Sequence, residues 1–298
     1  MFVNAIDYVS QFTRPIHSIL RNYGSTDIEL GCSTIIVVND EGYAITCKHV
    51  IDGLIAIADS INNRYTDFKK EIEDISSNKK KSRLIKEIEN RYGYSKKNPT
   101  TIQLKNQFVD IVDQFTEVKC IVHPQYDIAL IKFEGFNKIL CPSYPVFAKD
   151  GNNLKQGMSL CRLGFPYAEF SNYKYNHETD DIEWINNGGN ISPMFPMDGI
   201  ITRFVADNGI IVGIEMSTPG LKGQSGGPLF DKNGIIYGMQ FQTKSLPLGF
   251  DQIDREIIVN GKKKRVNDYS FLHLGRCIHI NVIKDFLNQH RIKYQVEP

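Results

Sequence analysis

Ser225 lies in Gly223-Gln224-Ser225-Gly226-Gly227-Pro228, a hydroxyl set between glycines in a tight bend. A serine hydroxyl is a weak nucleophile at neutral pH. It needs a base to take its proton and donors to hold the oxyanion that forms on a substrate. With no side chain at Gly223, the bend can turn the backbone N–H groups of Gly223 and Ser225 toward one point, and Gly226 and Gly227 allow close approach. The same Ser-Gly-Gly-Pro string also describes an ordinary loop. Two residues elsewhere complete a set. His49 follows the strand-like run Tyr43 to Cys47. Asp127 stands at the mouth of the apolar run Ile128 to Phe133, where a carboxylate is costly to bury unless a charged or hydrogen-bonding partner receives it. In chain order these are an imidazole, a carboxylate and a hydroxyl, 78 (127 − 49) and 98 (225 − 127) residues apart. Acyl transfer uses these types: imidazole as base and then acid, carboxylate to orient it and stabilise the imidazolium, hydroxyl to attack.

The segments around these residues alternate like strands. Cys32 to Val38, the turn Asn39 to Gly42 and Tyr43 to Cys47 form a hairpin that delivers His49 at its end. After Ser225 come Pro228, the turn Asp231-Lys232-Asn233-Gly234 and the apolar run Ile235 to Phe241, a strand, turn and strand. Gly-x-Ser-x-Gly is also the nucleophile elbow of α/β-hydrolases, which must run straight into a helix. That alternative, an elbow-type esterase, would draw on Ser225, Asp251 or Asp254, and His273 or His279. Further strands are expected at Val118 to Val122, Gly157 to Leu163, Gly199 to Val205, Gly209 to Met216 and Arg276 to Ile280. A hairpin with a basic tip is expected at Ile257 to Lys262. Ile6, Val9, Phe12, Ile16 and Ile19 have helical spacing and predict an amphipathic helix over residues 4 to 22, kinked or broken at Pro15. Residues 58 to 105 read as a charged helical segment, broken near Ser76-Ser77-Asn78-Lys79. Within 59 to 97 there are eleven Lys and Arg against seven Asp and Glu, an excess of four. Val282, Ile283, Phe286 and Leu287 mark a final helix.

Composition bounds the rest. The 298 residues are 41% hydrophobic and 23% charged with a net charge of +1, an ordinary globular balance with no global pull toward nucleic acid or membrane. Lys79 to Lys81 and Lys262 to Arg265 read as solvated turns. His273, Cys277 and His279 make a weak metal set, because strand alternation alone puts residues 277 and 279 on one face. The first residues carry neither a basic region nor a sustained apolar run, and the six cysteines are spread singly. Buried thiols and a cytoplasmic location are therefore expected.

Three motifs together resemble the trypsin-like (chymotrypsin-fold) serine peptidases of the bacterial, intracellular type: Ile45-Thr46-Cys47-Lys48-His49-Val50, Tyr126-Asp127-Ile128-Ala129-Leu130 and Gly223 to Leu229. The resemblance implies an all-β fold of two antiparallel six-stranded β-barrels with the active site between them. Residues 1–25 would be an N-terminal helix, 26–145 the first barrel with the helical insertion at about 58–105, and 146–298 the second barrel with the C-terminal helix. It implies an endopeptidase with Ser225 as nucleophile, His49 as general base and acid, Asp127 orienting His49, and an oxyanion hole of Gly223 and Ser225. It needs no cofactor and no metal. Protein or peptide substrates would lie along Phe241, Gln242 and Thr243, with a side-chain pocket near Ser217, Thr218 and Pro219. No Asp or Glu occurs in that stretch, which argues against a basic-residue preference and for a small or apolar one. The chain departs from the family in two places. No cysteine directly follows His49, and Gln224 replaces the aspartate that in zymogen-derived members pairs with a cut N-terminus. A protease-fold docking module without activity is the rival reading. The charged insertion is the expected site for a regulatory protein partner.

Overall fold

The computed structural model of the chain describes residues 1–75 and 81–298. The helix expected over 4–22 is confined to α1 (Val3–Val9), and Thr13–Asn22 forms a ten-residue strand, β1. Pro15 has no N–H to give to a helix. Pro15 to Ile19 and Arg21 are all buried, so both faces of β1 are covered and its residues lack the period of a half-exposed strand. The N-terminal unit expected over 1–25 is thus a short helix followed by a strand of the first sheet.

That sheet continues with β2 (Ile28–Val37) and β3 (Tyr43–Thr46), and the chain then enters the single turn α2 (Lys48–Val50) and a π-helical turn at Ile51–Ile55. The insertion follows as α3 (Ala58–Glu73) and α4 (Lys81–Tyr92). The break expected at Ser76 to Lys79 lies outside the described residues. Next come β4 (Thr101–Phe108), β5 (Glu117–Val122) and β6 (Ala129–Glu134). The order is β4-β1-β2-β3-β6-β5. Because β4 pairs with β1, the insertion ends before Thr101 rather than at 105. Asn62 of α3 grips the outer edge of β4, its Nδ2 donating to the Leu104 carbonyl (2.8 Å) and its Oδ1 accepting the Leu104 N–H (2.9 Å). A sheet edge is thereby capped by a side-chain amide instead of another strand. Behind it, Tyr65, Phe68, Tyr94 and Ile102 form a small core of their own.

The second half runs through β7 (Val146–Phe147), β8 (Ser159–Arg162), β9 (Tyr173–Asn176), β10 (Asp181–Trp184), β11 (Met197–Asp207), β12 (Ile210–Met216) and β13 (Pro228–Phe230). It finishes with β14 (Ile236–Pro247), β15 (Gln252–Val259), β16 (Lys262–Asp268), β17 (Phe271–His279), α5 (Ile280–Gln289) and β18 (Gln295–Val296). The strands β13-β8-β11-β12-β17-β14 form a ring, because β13 pairs with both β8 and β14. This half is a closed six-stranded barrel. The hairpin expected near 257–262 joins β15 to β16 through Asn260 and Gly261, both with positive φ (51° and 74°). The final helix buries Val282, Ile283, Phe286 and Leu287. One core cluster spans both halves, from Ile35 and Ile45 to Leu229 and Ile278. This mostly β architecture, a curled open sheet followed by a closed barrel, is consistent with the two-barrel fold that the sequence motifs imply. No helix among the described residues is long and apolar enough to cross a membrane.

Candidate active site

Strand register brings His49 to Asp127. Thr46 at the end of β3 pairs with Ala129 at the start of β6. The histidine three residues past that pair therefore faces the aspartate two residues before it. The His49 backbone N–H donates to Asp127 Oδ1 (2.9 Å), and His49 Nδ1 lies 2.7 Å from Asp127 Oδ2. An ionised carboxylate only accepts, so Nδ1 carries the hydrogen and Nε2 keeps the free lone pair. Burial pushes the Asp127 carboxyl up, but the His49 side-chain and backbone hydrogen bonds outweigh it and hold its pKa below the ordinary range. Just before Asp127, His123 Nδ1 accepts the N–H groups of Gln125 (3.0 Å) and Tyr126 (2.9 Å), which shapes the turn.

The serine bend is built from backbone. Gly223 and Gly226 have φ of +90° and +89°, a region that favours glycine. A Cβ at Gly223 would overlap the Phe165 carbonyl, and one at Gly226 would overlap the Thr34 carbonyl and Thr46 Oγ1. Thr34 of β2 clasps the bend from the first half: its N–H donates to the Ser225 carbonyl (2.9 Å) and its Oγ1 to the Gly223 carbonyl (2.6 Å). The Gln240 carbonyl of β14 receives the Gly226 N–H (2.9 Å) and the Cys47 thiol (3.3 Å), so a single oxygen ties the bend to the histidine strand. Gln224 is buried, its Oε1 accepting from Leu221 N–H (3.0 Å) and its Nε2 donating to the Phe195 carbonyl (3.2 Å). A neutral amide thus braces the bend from within the second half. The N–H groups of Gln224, Gly226 and Gly227 all have acceptors, whereas those of Gly223 and Ser225 have none among the described residues. Ser225 Oγ likewise makes no hydrogen bond to His49 among the described residues.

The expected substrate residues line the same region. Phe241, Gln242 and Thr243 lie on β14, where Gln242 and Thr243 pair with Arg276 and Gly275 of β17. On its other side β14 pairs with β13 only as far as Met239, so beyond it that edge has no strand partner among the described residues. Thr243 Oγ1 donates to the Gly220 carbonyl (2.6 Å), Ser217 Oγ accepts the Ile200 N–H (3.0 Å), and Thr218 Oγ1 donates to the Asp198 carbonyl (3.0 Å). Sequence reasoning missed four residues here: Thr34, Cys47 and Gln240, which carried no signal beyond strand propensity, and Arg162, a charge inside the otherwise apolar run Gly157 to Leu163.

The elbow alternative is corrected. Ser225 leads into the strand β13, so the helix that an elbow requires does not follow it. His279 is instead buried at the start of α5, its Nδ1 accepting the Asn281 N–H (3.3 Å), and His273 Nδ1 lies 2.9 Å from Ser245 Oγ. Donor atoms of Cys47, His49 and Asp127 do lie within 4.8 Å of one another. The thiol is spent on Gln240, and burial pushes its pKa well above the ordinary value, which suits a neutral donor rather than a metal ligand.

The family model of the trypsin-like peptidase domain matches residues 32–239. The chain belongs to that family and is a serine protease. No curated protein sequence matches it. Among solved structures it is similar to the HtrA-type protease AlgW with a decapeptide, at TM-score 0.52 and 12% identity over 97% of this chain and 67% of that one. AlgW variant structures with a decapeptide (TM-score 0.48) and a tripeptide (0.47) are each 11% identical over 97% of this chain and cover 67% and 63% of theirs. At such identity the likeness is one of fold, and the chain spans about two thirds of those proteins' length.

Proposed function

We propose that Ser225, His49 and Asp127 hydrolyse peptide bonds through an acyl-enzyme. The observation that carries the reading is the double hydrogen bond from His49 to Asp127 (2.9 and 2.7 Å), which joins residues far apart in sequence and leaves Nε2 as a base. Ser225 Oγ attacks the substrate carbonyl as its proton passes to Nε2. The oxyanion takes the free N–H groups of Gly223 and Ser225. The imidazolium, held by Asp127, then protonates the leaving amine, and a water activated by the same nitrogen releases the acid. The gap between Ser225 and His49 in the free protein closes on substrate binding, as such contacts tighten in complexes. A peptide adds as a strand to the free edge of β14 along Phe241, Gln242 and Thr243, so main-chain hydrogen bonds hold it in register. Six free cysteines, four of them buried, suit a cytoplasmic setting. The exposed helix α4, with no buried residue, is the surface for a regulatory partner.

Replacing Ser225 with Ala lowers turnover by about six orders of magnitude where chemistry limits the rate. A fluorophosphonate should label the native protein at Ser225 and leave that variant unlabelled. Near-native cleavage by purified Ser225→Ala protein would overturn the assignment.

A further inference from the structure

Arg162 of β8 is 0% exposed. Two other buried ions meet opposite charge: Arg21 pairs with Asp180 (2.9 Å), and Glu215 with Arg203 (2.8 Å) and Arg276 (3.2 Å). Arg162 meets no carboxylate among the described residues. A guanidinium cannot shed its proton in a protein and has five donors to place. Here Nη1 donates to Gln240 Oε1 (2.7 Å), and Nη2 to Thr218 Oγ1 (2.5 Å), the Thr218 carbonyl (3.0 Å) and the Pro219 carbonyl (3.0 Å). Nε has no partner at all. Every acceptor is neutral, so a full positive charge is buried without a counter-ion, an arrangement that is costly unless something else compensates it.

Its position shows what could. Thr218 and Pro219 lead through Gly220 directly to the serine bend, and Gly220 is tied to Thr243 on the free edge of β14. An acyl group held on the Gly223 and Ser225 N–H groups by a strand on that edge must drop its own side chain between 217–220 and 240–243. Arg162 lies directly behind this space. Because it can only donate, it holds Gln240 Oε1 toward itself and leaves Nε2 facing away from it. There Nε2 donates to the Gln242 carbonyl (2.7 Å) and crowds Gly220, where a Cβ would overlap it. The floor is therefore an amide donor backed by an unpaired cation.

We propose that this pocket selects an acidic side chain, so that the protease cleaves after Asp or Glu. The substrate carboxylate accepts from the Gln240 amide, and Arg162 supplies the opposite charge behind it. This deepens the Ser225 reading and rests on it. The small or apolar preference expected from 217–219 overlooked a charge contributed from 56 residues earlier in the chain (218 − 162).

The test is kcat/KM on one peptide series with Glu, Asp, Gln, Ala, Phe or Lys preceding the scissile bond. Glu or Asp should exceed the uncharged isostere Gln by about 100-fold, the scale on which hydrogen bonding to a charged group exceeds that to a neutral one. Arg162→Gln should remove that ratio, and Arg162→Lys, which keeps the charge, should retain much of it. Fluorophosphonate labelling should persist in both. A residue that merely staples 218–219 would lower all six substrates alike and leave the ratio unchanged, which overturns the proposal. Should Arg162→Gln fail to fold, Gln240→Ala decides. Removing the amide that the carboxylate accepts from should lower the acidic ratio yet leave Glu and Asp preferred through the Arg162 charge, and a switch to Phe or Ala overturns the inference. Labelling of the native protein with an apolar preference sinks this inference alone, whereas neither labelling nor cleavage sinks the peptidase reading with it.

Discussion

The two halves of the molecule supply the proposed reacting groups in opposite ways. The first half is an open six-stranded sheet that offers His49 and Asp127 from strand ends, where two hydrogen bonds hold side chains still 50% and 27% exposed. The second is a closed ring that offers Ser225 from a bend so confined that neither Gly223 nor Gly226 has room for a Cβ. One partner is oriented by side-chain hydrogen bonds and the other by backbone sterics. The difference teaches where adaptability resides. An imidazole that shuttles protons can reorient at a solvent-open edge, while an oxyanion site must be preorganised before charge develops.

The comparison can be broken most forcefully at the carboxylate. Asp127→Asn should lower kcat by about 10⁴-fold, the scale seen when the orienting carboxylate of such a triad is neutralised. The fold should survive, because only hydrogen bonds at a strand end change, and a circular dichroism spectrum matching the native one checks it. Loss of structure alongside activity would mean the first half depends on this pair for more than orientation.

On the serine side the same substitution logic should damage structure as well. Gly226→Ala forces a Cβ against the Thr34 carbonyl at a positive φ, and should cost on the order of 3 kcal/mol or more in urea unfolding together with most activity. An active, stable Gly226→Ala protein would show the bend to be adaptable and erase the contrast between the halves.

Per pH unit the smallest effect comes from protons, with one histidine in each half buried to 2% exposure or less. Burial depresses His17 in β1 and His279 at the head of α5 to a pKa of about 4, from 6.5. Between those values the unfolded chain binds protons that the folded one refuses. The stability is therefore complete above about pH 6.5 and is lost as pH falls toward 4, at up to about 1.4 kcal/mol per pH unit per histidine. Thermal melts across that window should show the slope. His17→Gln and His279→Gln should each flatten it, and a flat native profile would refute the burial argument.

Much of the site was legible because its signals are local. Glycine on both sides of Ser225, strand runs ending at His49 and beginning after Asp127, and Asn260-Gly261 in a hairpin each follow from a few neighbouring residues. β1 was misread as helix because a strand covered on both faces has no alternation to show. The insertion was drawn too long because the polar, outer-edge residues of β4 look like a continuation of the charged segment until Asn62 is seen to cap them. Arg162 was passed over because a single charge in an apolar run has no meaning until its acceptors are known.

The amino-acid order by itself determined which groups could react, in what succession, and that strands would carry them, since residue type and short-range period are properties of the chain alone. Tertiary structure decided that one sheet closes and the other stays open, that Thr34 of one half clasps the bend of the other, and that Arg162 is buried against Thr218, Pro219 and Gln240 without a carboxylate partner among the described residues. These outcomes depend on register and on contacts between residues far apart in sequence, and no local pattern encodes them.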